Sequence, residues 1–236
     1  MADFAYVGSE LDLFAAARNW KAYWSSLVRP YVKGEVLETG AGIGSNTRLL
    51  DIGATRRWVC LEPDAQLLEQ LRVNVGRRPF SPGYEFVCGT THTLDPSWRF
   101  DCIIYIDVLE HIEDDRQELV TAASHLRPGG SIVVLSPAHN WLYAPFDRSI
   151  GHFRRYDRPS MKRISPPGLR LERVMYLDCL GLLASAANRY LLRQAMPTAG
   201  QLAIWDRYLV PASKILDKVL LHSLGKSILA VWTKPA

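Results

Sequence analysis

The chain has 236 residues, of which 48% are hydrophobic and 22% charged, and these proportions are ordinary for a soluble globular protein. Its formal net charge of +4 does not by itself indicate binding to nucleic acid, and we expect no nucleic-acid partner. The most apolar stretch, Cys179 to Ala187, is too short to cross a bilayer, and Met1 to Gly8 lacks the features of a signal peptide. We therefore expect a cytoplasmic protein without a transmembrane segment.

The four cysteines are widely spaced and show no C-x-x-C pairing. Cys60, Cys88 and Cys102 fall in or next to predicted strands, so we expect each to be a reduced, buried thiol. No metal ligand is assigned from the sequence.

The first 33 residues predict a helical arm. Ser9 and Asp12 form a start that resembles a capping box, and the helix should end before Pro30. Core packing is the simplest interpretation of its apolar stripe, although the arm could also fold across a cofactor, with Tyr6 or Trp20 near it. The residues of the stripe recur at spacings of four and three: Leu13, Ala17, Trp20, Trp24 and Leu27.

A glycine-rich stretch follows the first predicted strand. The strand ends at Glu38, and Gly40, Gly42 and Gly44 then alternate with other residues before helix-compatible sequence begins. Glycine at these positions lets the turn adopt positive φ and lets a ligand approach the main chain. Such turns hold nucleotide-like cofactors at the carboxyl edge of a parallel sheet. The spacing is G-x-G-x-G rather than the dinucleotide pattern G-x-G-x-x-G, because Ser45 stands where the third glycine would be.

From residue 34 onward, short apolar runs alternate with longer periodic ones, which predicts a doubly wound α/β fold with a mostly parallel sheet. The predicted strands are Glu35–Glu38, Arg57–Leu61, Tyr84–Cys88, Asp101–Ile106, Ser131–Ser136, Leu169–Leu177 and Ser227–Thr233. The predicted helices are Ser45–Asp51, Asp64–Val75, Asp114–Leu126, Ser160–Ile164, 179–194 and 201–222, the last broken at Pro211. Residues 138–168 form a connection too long to be ordinary, which indicates a functional loop.

Three stretches carry a resemblance to a known family. Glu38-x-Gly-x-Gly-x-Gly resembles the first motif of the class I S-adenosylmethionine-dependent methyltransferases, and 106–112 resembles their segment beneath the methionine part of the cofactor. The N-terminal Tyr-x-Gly-Ser-Glu-Leu and the later Gly-His-Phe-Arg-Arg-Tyr resemble a bacterial small-molecule subgroup of that class (type 11-like). The resemblance implies one domain with a seven-stranded Rossmann-like sheet, a cofactor half over 34–137, and an acceptor half over 138–236 with a helical insertion before the last strand.

The resemblance also implies S-adenosylmethionine as cofactor and S-adenosylhomocysteine as product. Glu62, about 20 residues beyond the glycine turn, can accept both ribose hydroxyls, whereas Asp64 fits better as a helix cap. Thr90 stands where related enzymes often place an acid for the adenine amine. The residues assigned to the cofactor are Glu38, Gly40, Gly42, Gly44, Asn46, Glu62, Pro63, Thr90, Asp107, Tyr6 and Trp20.

The loop after the fifth strand should lie over a small-molecule acceptor. Residues 147–163 hold six Arg or Lys and two Asp, a local balance of +4, so the acceptor could be anionic. Alternatively, Arg154 or Arg155 only pins the loop by hydrogen bonds. The catalytic candidates are His152, His111, His139 and Tyr156. The candidates for acceptor contacts are Asn140, Tyr143, Asp147, Arg154 and Arg155.

Two other functions are compatible with the pattern. One is an NAD-type oxidoreductase, which Ser45 disfavours. The other is a cofactor-binding or membrane-peripheral module without turnover, whose apolar helices Leu180–Leu192 and Leu202–Leu221 would meet lipid. In that case basic residues would face the head groups: Arg189, Arg193, Arg207, Lys214 and Lys218. The sequence identifies neither the acceptor, nor the atom that is methylated, nor the oligomeric state.

Overall fold

The structure is a computed structural model that describes residues 16–76, 83–192 and 198–236. Within these residues seven strands form one sheet: β1 (Gly34–Thr39), β2 (Thr55–Glu62), β3 (Tyr84–Cys88), β4 (Phe100–Ile106), β5 (Leu126–Pro137), β6 (Arg170–Leu177) and β7 (Ser227–Thr233). Their order is β3-β2-β1-β4-β5-β7-β6. The first five strands pair in parallel, and β7 pairs antiparallel with both β5 and β6. The predicted fold class, a mostly parallel seven-stranded sheet, is confirmed.

Nine α-helices lie in the described residues: α1 (Arg18–Val28), α2 (Thr47–Leu50), α3 (Ala65–Val75), α4 (Asp115–Ser124), α5 (Pro145–Ser149), α6 (Arg158–Arg163), α7 (Cys179–Ala187), α8 (Ala199–Ile204) and α9 (Val210–Val219). Helix α5 was not predicted, because five residues are too few to show a helical period. Its first turn carries Pro145, which needs no hydrogen bond there, and Asp147 Oδ2 accepts the Ala144 N–H at 2.8 Å.

The sheet is buried on both faces. Val36 and Leu37 are adjacent in β1 and fully buried, yet they belong to different hydrophobic clusters, because successive side chains of a strand point to opposite faces. β1 lies between β2 and β4, where the strand order reverses. Open α/β sheets bind ligands outside the carboxyl ends of their strands at this position.

The N-terminal arm packs as core in its described part. Trp20 and Trp24 of α1 are buried, and α1 ends at Val28, where a 3₁₀ turn containing Pro30 follows. The Trp20 N–H donates to Asp206 Oδ1 at 2.9 Å, which ties the arm to the helices after β6. The predicted capping box, Leu13 and Tyr6 lie outside the described residues.

Two predictions of local structure are wrong. The segment expected to break at Pro211 instead stays helical, with a π-helix over Trp205–Leu209 directly before α9. The wider π turn accommodates a residue that lacks an N–H and whose ring would clash with the preceding turn of an α-helix. Cys88 is exposed rather than buried, because β3 lies at the edge of the sheet, whereas Cys60 and Cys102 are buried as expected.

Candidate active site

A cavity of about 1240 Å³ opens at the carboxyl ends of the central strands. The ends of β1, β2 and β4 line it through Thr39, Glu62 and Asp107. Its other walls come from α1, from the long loop after β5, and from the helices between β6 and β7. The predicted cofactor edge and the predicted acceptor loop therefore face one space.

The three glycines of the turn differ in what surrounds them. Gly40 and Gly42 line the cavity with φ of 59° and 54°, values that favour glycine. A Cβ on Gly40 would lie 2.6 Å from Val108 Cγ2. Gly44 does not line the cavity, and a Cβ there would lie 2.6 Å from Val75 Cγ1 of α3. Gly40 and Gly42 thus bring main chain to the cavity wall, Gly40 also leaves room for Val108, and Gly44 permits close packing of α3.

Glu62 stands at the end of β2 with its carboxylate on the cavity wall. The Gly42 N–H donates to its Oε2 at 2.8 Å, and the Asp64 N–H donates to its Oε1 at 3.0 Å. Each oxygen keeps a second lone pair for a ligand. Burial raises the pKa of Glu62, and the two backbone hydrogen bonds partly offset this. Asp64, not Glu62, caps α3, since its side chain accepts two helix N–H groups.

Glu38 lies behind the glycine turn. It is buried, it does not line the cavity, and its Oε2 accepts a hydrogen bond from Trp58 Nε1 at 3.0 Å. Burial raises its pKa to about 7. Of the residues assigned to the cofactor, Glu38 and Gly44 therefore do not reach the cavity. Those that line it are Gly40, Gly42, Asn46, Glu62, Pro63, Thr90, Asp107 and Trp20.

Asp107 follows β4 in a strained backbone conformation. Its φ is 55°, which is rare for a residue with a side chain, and its N–H donates to the Leu135 carbonyl at 2.8 Å. The side chain is exposed on the cavity. Strain of this kind clusters at functional sites, which agrees with the position that the sequence assigned to Asp107.

An acid that sequence reasoning missed lies beside the threonines after β3. Glu118 of α4 is buried and lines the cavity. The Thr91 hydroxyl donates to its Oε2 at 2.7 Å, and the Tyr105 hydroxyl donates to its Oε1 at 2.7 Å. Only the packing of α4 against the sheet brings this carboxylate to Thr90 and Thr91, so local sequence carried no signal for it.

The cavity wall also carries a group of polar side chains that we call the histidine cluster: Glu110, His111, Asp147, His152 and Arg155. The His152 Nδ1 lies 3.0 Å from Asp147 Oδ1, and the Arg155 guanidinium donates to both oxygens of Asp147, at 2.8 and 3.0 Å. The His152 Nε2 lies 3.8 Å from Glu110 Oε1. The His111 and His152 rings meet edge to face, with centroids 4.5 Å apart. All five residues line the cavity.

Burial and neighbouring charges shift the pKa values of this cluster in opposite directions. Burial, helped by Asp107, raises the pKa of Glu110 to about 8, while burial and the neighbouring His152 lower the pKa of His111 to about 4. Burial alone would lower the pKa of His152, but the hydrogen bond to Asp147 and the charge of Glu110 raise it. Groups whose pKa values are pushed apart in one cleft are typical of functional sites.

Several predicted site residues lie off the cavity and hold the loop in place. The Tyr156 hydroxyl donates to Asp115 Oδ2 at 2.7 Å, and burial raises its pKa well above the usual value, so it is a structural group here. His139 Nε2 lies 3.0 Å from the Gly225 carbonyl, with its ring stacked on Tyr176. Neither residue lines the cavity, which corrects their placement among the catalytic candidates.

The remaining acceptor candidates also make internal contacts. The Asn140 Oδ1 accepts the Arg155 N–H at 2.8 Å, and the Tyr143 hydroxyl donates to the His152 carbonyl at 2.6 Å. Arg154 lies 2.7 Å from Asp115 and also donates to two backbone carbonyls. Asn140, Tyr143 and Arg154 do not line the cavity. Both arginines are thus engaged within the protein, which is the pinning role that the sequence left open.

The wall formed by the helices after β6 contributes residues without a sequence signal. Lys226, just before β7, lies over the Trp205 ring with Nζ 3.6 Å from the centroid, and both residues line the cavity. Burial lowers the pKa of Lys226. Asp178 accepts hydrogen bonds from Trp205 Nε1 and Ser213 Oγ, at 2.7 Å each. These helices thus extend the cavity, and within the described ranges none is long and apolar enough to span a bilayer.

Comparison with known proteins agrees with the fold and the cavity. Residues 14–172 match the family model described as a methyltransferase domain. A ubiquinone biosynthesis O-methyltransferase from Bradyrhizobium sp. (strain ORS 278) is 29% identical over 109 residues, which cover 41% of this chain and 42% of the relative. The chain therefore aligns with about two fifths of the length of that curated relative.

Solved structures resemble the whole chain at low identity. A chain of the Haloferax volcanii complex between the Trm112 methyltransferase activator and a methyltransferase is 18% identical with a TM-score of 0.62, and the match covers 98% of this chain and 100% of that one. An S-adenosylmethionine-dependent methyltransferase from Mesorhizobium loti is 17% identical with a TM-score of 0.61, covering 94% and 100%. Because the family model matches more than half of the residues, the chain belongs to the methyltransferase-domain family.

Proposed function

We propose that this protein transfers a methyl group from S-adenosylmethionine to a hydroxyl oxygen of a small-molecule acceptor. One observation carries the proposal: the glycine turn and Glu62 face the same cavity as the histidine cluster. The glycine turn and Glu62 suit an adenosyl donor, and the histidine cluster suits the removal of a proton. Membership of the methyltransferase-domain family supports this reaction class.

The residues of the cofactor edge fit an adenosyl group. Glu62 is held by two backbone N–H groups and keeps lone pairs for two ribose hydroxyls. Gly40 and Gly42 line the same cavity as Glu62, and the Gly42 N–H bonds its carboxylate. Bound S-adenosylmethionine would supply an electrophilic methyl: the acceptor oxygen attacks its carbon, the C–S bond breaks, and the electron pair remains on sulfur in S-adenosylhomocysteine.

The chain's own contribution is to orient the acceptor, to exclude water and to receive a proton. Orientation of the two reactants can contribute up to about 7–11 kcal/mol. The proton of the acceptor hydroxyl must leave for the oxygen to react, and assistance with such a transfer is typically worth about 10²–10⁴-fold. In the histidine cluster the two imidazoles that can receive this proton are His111 and His152, and Asp147 fixes the orientation of His152. The O-methyltransferase among the relatives supports oxygen as the methylated atom.

The walls around the cluster are mainly apolar and aromatic, including Phe146, Leu142 and Trp205. This lining favours an acceptor with a ring or an alkyl portion, bound by area burial rather than by charge pairing. Arg155 is already paired with Asp147, so the anionic acceptor suggested by composition has less support than a neutral one.

The proposal is tested by calorimetry with S-adenosylhomocysteine. The wild-type protein should bind it, and NAD should not compete. Gly42→Val should abolish binding, because a β-branched side chain would enter the ligand's space at a position with φ of 54°. Gly168→Val is the matched control, because Gly168 has φ of 78°, open space around a Cβ, and a position away from the cavity.

Turnover is tested by release of S-adenosylhomocysteine with a panel of phenols, alcohols and amines. Release with hydroxyl acceptors is the expected result. Binding of NAD without binding of S-adenosylhomocysteine would overturn the proposal, and release with amines alone would overturn the assignment to oxygen.

A further inference from the structure

Glu110 is a buried acid without the hydrogen bonds that such a group requires. Its side chain is 0% exposed, and neither carboxylate oxygen has a hydrogen-bond partner among the residues that the structure describes. It nevertheless borders the cavity beside His111 and His152. Leaving a buried acceptor unsatisfied costs about 1–3 kcal/mol, and more for a charged group. The buried Ser136 hydroxyl interacts with this carboxyl group, but it completes no hydrogen bond of normal geometry to either oxygen.

The neighbours of Glu110 are the groups that bind metal ions. One oxygen of Glu110 and one ring nitrogen each of His111 and His152 all lie within 4.8 Å of one another. The His152 Nε2 and Glu110 Oε1 atoms are 3.8 Å apart. Ligands of a tetrahedral ion with bonds of about 2.0–2.1 Å are separated by about 3.3–3.5 Å, so small side-chain rotations would close the site.

The supporting residues also match those of a metal site. Ligating histidines commonly use their second ring nitrogen to bond a carboxylate, which fixes the ring and its tautomer. The His152 Nδ1 lies 3.0 Å from Asp147 Oδ1, which leaves Nε2 facing Glu110. Asp147 is held in turn by both arms of Arg155 and by the Ala144 N–H. The imidazole is thus oriented before any ion arrives.

We infer that Glu110, His111 and His152 bind one divalent transition-metal ion at the wall of the cavity. Two imidazoles and one carboxylate suit Zn²⁺, Mn²⁺ or Fe²⁺ rather than Ca²⁺, which takes oxygen ligands. Three protein ligands leave at least one coordination position open, as in catalytic rather than structural sites. Local sequence does not reveal this site, because Glu110 and His111 follow β4 whereas His152 lies in the loop after β5.

The role of the ion rests on the proposed function. Its open position would bind the acceptor hydroxyl oxygen and lower the pKa of that hydroxyl, as bound zinc does for water. The hydroxyl proton would leave to solvent through the cavity, and the oxygen would keep its electron pair for the methyl carbon. In that case His152 is a ligand rather than a free base.

The competing explanation is an ion pair of protonated His152 with Glu110. At 3.8 Å this contact is too long for a hydrogen bond, so the pair would leave both Glu110 oxygens unsatisfied. The two explanations differ in what a chelator-stripped protein does when metal is returned.

The test uses the full chain stripped with a chelator and titrated with Zn²⁺ by calorimetry, and with Co²⁺ by visible absorption. We expect one ion per chain and Co²⁺ d–d bands typical of nitrogen and oxygen ligands. Glu110→Gln and His111→Gln should each weaken Zn²⁺ binding at least about tenfold. This is the lower end of the loss in metal affinity seen when a residue that supports a metal ligand is replaced. Glu113→Gln and His222→Asn are matched controls away from the cavity, and they should bind like the wild type.

Absence of stoichiometric Zn²⁺ and Co²⁺ binding to the wild type would overturn the inference, as would unchanged affinity in both Glu110→Gln and His111→Gln. Circular dichroism of each variant shows whether it is folded. S-adenosylhomocysteine calorimetry on the same stripped sample is independent of the ion. Loss of that binding would count against the proposed function, while the metal titration still decides the site.

Discussion

Two buried acids differ in how their oxygens are satisfied: Asp217 of α9, which does not line the cavity, and Glu110, which does. Asp217 accepts hydrogen bonds from the Tyr23 hydroxyl and from the N–H groups of Asp178 and Cys179, at 2.8, 2.6 and 3.0 Å. Glu110, equally buried, accepts none from the described residues. The hydrogen bonds of the Asp217 carboxylate are complete within the protein, and those of Glu110 are not.

This difference separates a structural role from a functional one. Asp217 and its neighbours join α1, α7 and α9 to the end of β6, so these hydrogen bonds stabilise the fold itself. Glu110 contributes nothing comparable to the fold, since a buried carboxylate without donors opposes folding. Buried acids whose oxygens lack hydrogen-bond donors therefore identify the functional part of this cavity better than charge or exposure does.

The largest expected effect is on stability. Asp217→Ala should lower the free energy of unfolding by roughly 3 kcal/mol or more, because three buried donors lose their acceptor at about 1–3 kcal/mol each. Glu110→Gln should stay within about 1 kcal/mol of the wild type, because no donor depends on its carboxylate. Urea unfolding in the presence of a chelator measures both. Equal losses of unfolding free energy in the two variants would contradict the distinction between Asp217 and Glu110.

Glu62 stands between these extremes, with one backbone donor on each oxygen and lone pairs to spare. Glu62→Ala should weaken S-adenosylhomocysteine binding about 10–100-fold, which corresponds to loss of hydrogen bonds to a charged group worth about 1.5–3 kcal/mol. Calorimetry measures this, and Glu62→Gln should give a smaller loss because it keeps one acceptor oxygen. Affinity within about twofold of the wild type in Glu62→Ala would show that Glu62 does not hold the ribose.

The last and most gradual expected effect is a pH dependence from Glu38. Burial raises its pKa from 4.5 to about 7, so the folded state holds this proton more tightly than the unfolded state. The resulting stability is fully present at pH values below the unfolded pKa and is lost as pH rises through the folded pKa. The wild type should therefore lose stability relative to Glu38→Gln between about pH 5 and pH 8.

Urea unfolding at a series of pH values checks this, with Glu113→Gln as the exposed control. A constant difference between the wild type and Glu38→Gln across that range would contradict the raised pKa.

The fold and the cofactor edge were largely predictable because their signals are local. Most strands contain a short apolar run, and all seven were predicted, although β5 begins five residues before its predicted start. The glycine turn and Glu62 occur at the spacing that a strand–turn–helix–strand unit requires. The exposure of Cys88 was missed because nothing local reveals that β3 is an edge strand.

The acceptor side was less predictable because its geometry depends on distant elements. His152 was recognised from its own loop, but its neighbour Glu110 follows another strand. His139 and Tyr156 were kept as further candidates because nothing local shows that their side chains bond the protein itself. Lys226 and Trp205 meet only after the helices between β6 and β7 have packed. Arginines that suggest an anionic ligand by composition cannot be told from arginines that bind their own loop until their partners are known.

The strand order also constrains how the molecule is made. β7 is the last strand in the chain, yet it lies between β5 and β6 and pairs with both. Until Ser227–Thr233 leaves the ribosome, one edge of β5 and the whole of β6 lack their neighbours. Unpaired apolar strand edges promote aggregation during synthesis. Chaperone dependence and sensitivity to slow translation should therefore concentrate in the second half of the chain, after β1 to β4 have assembled.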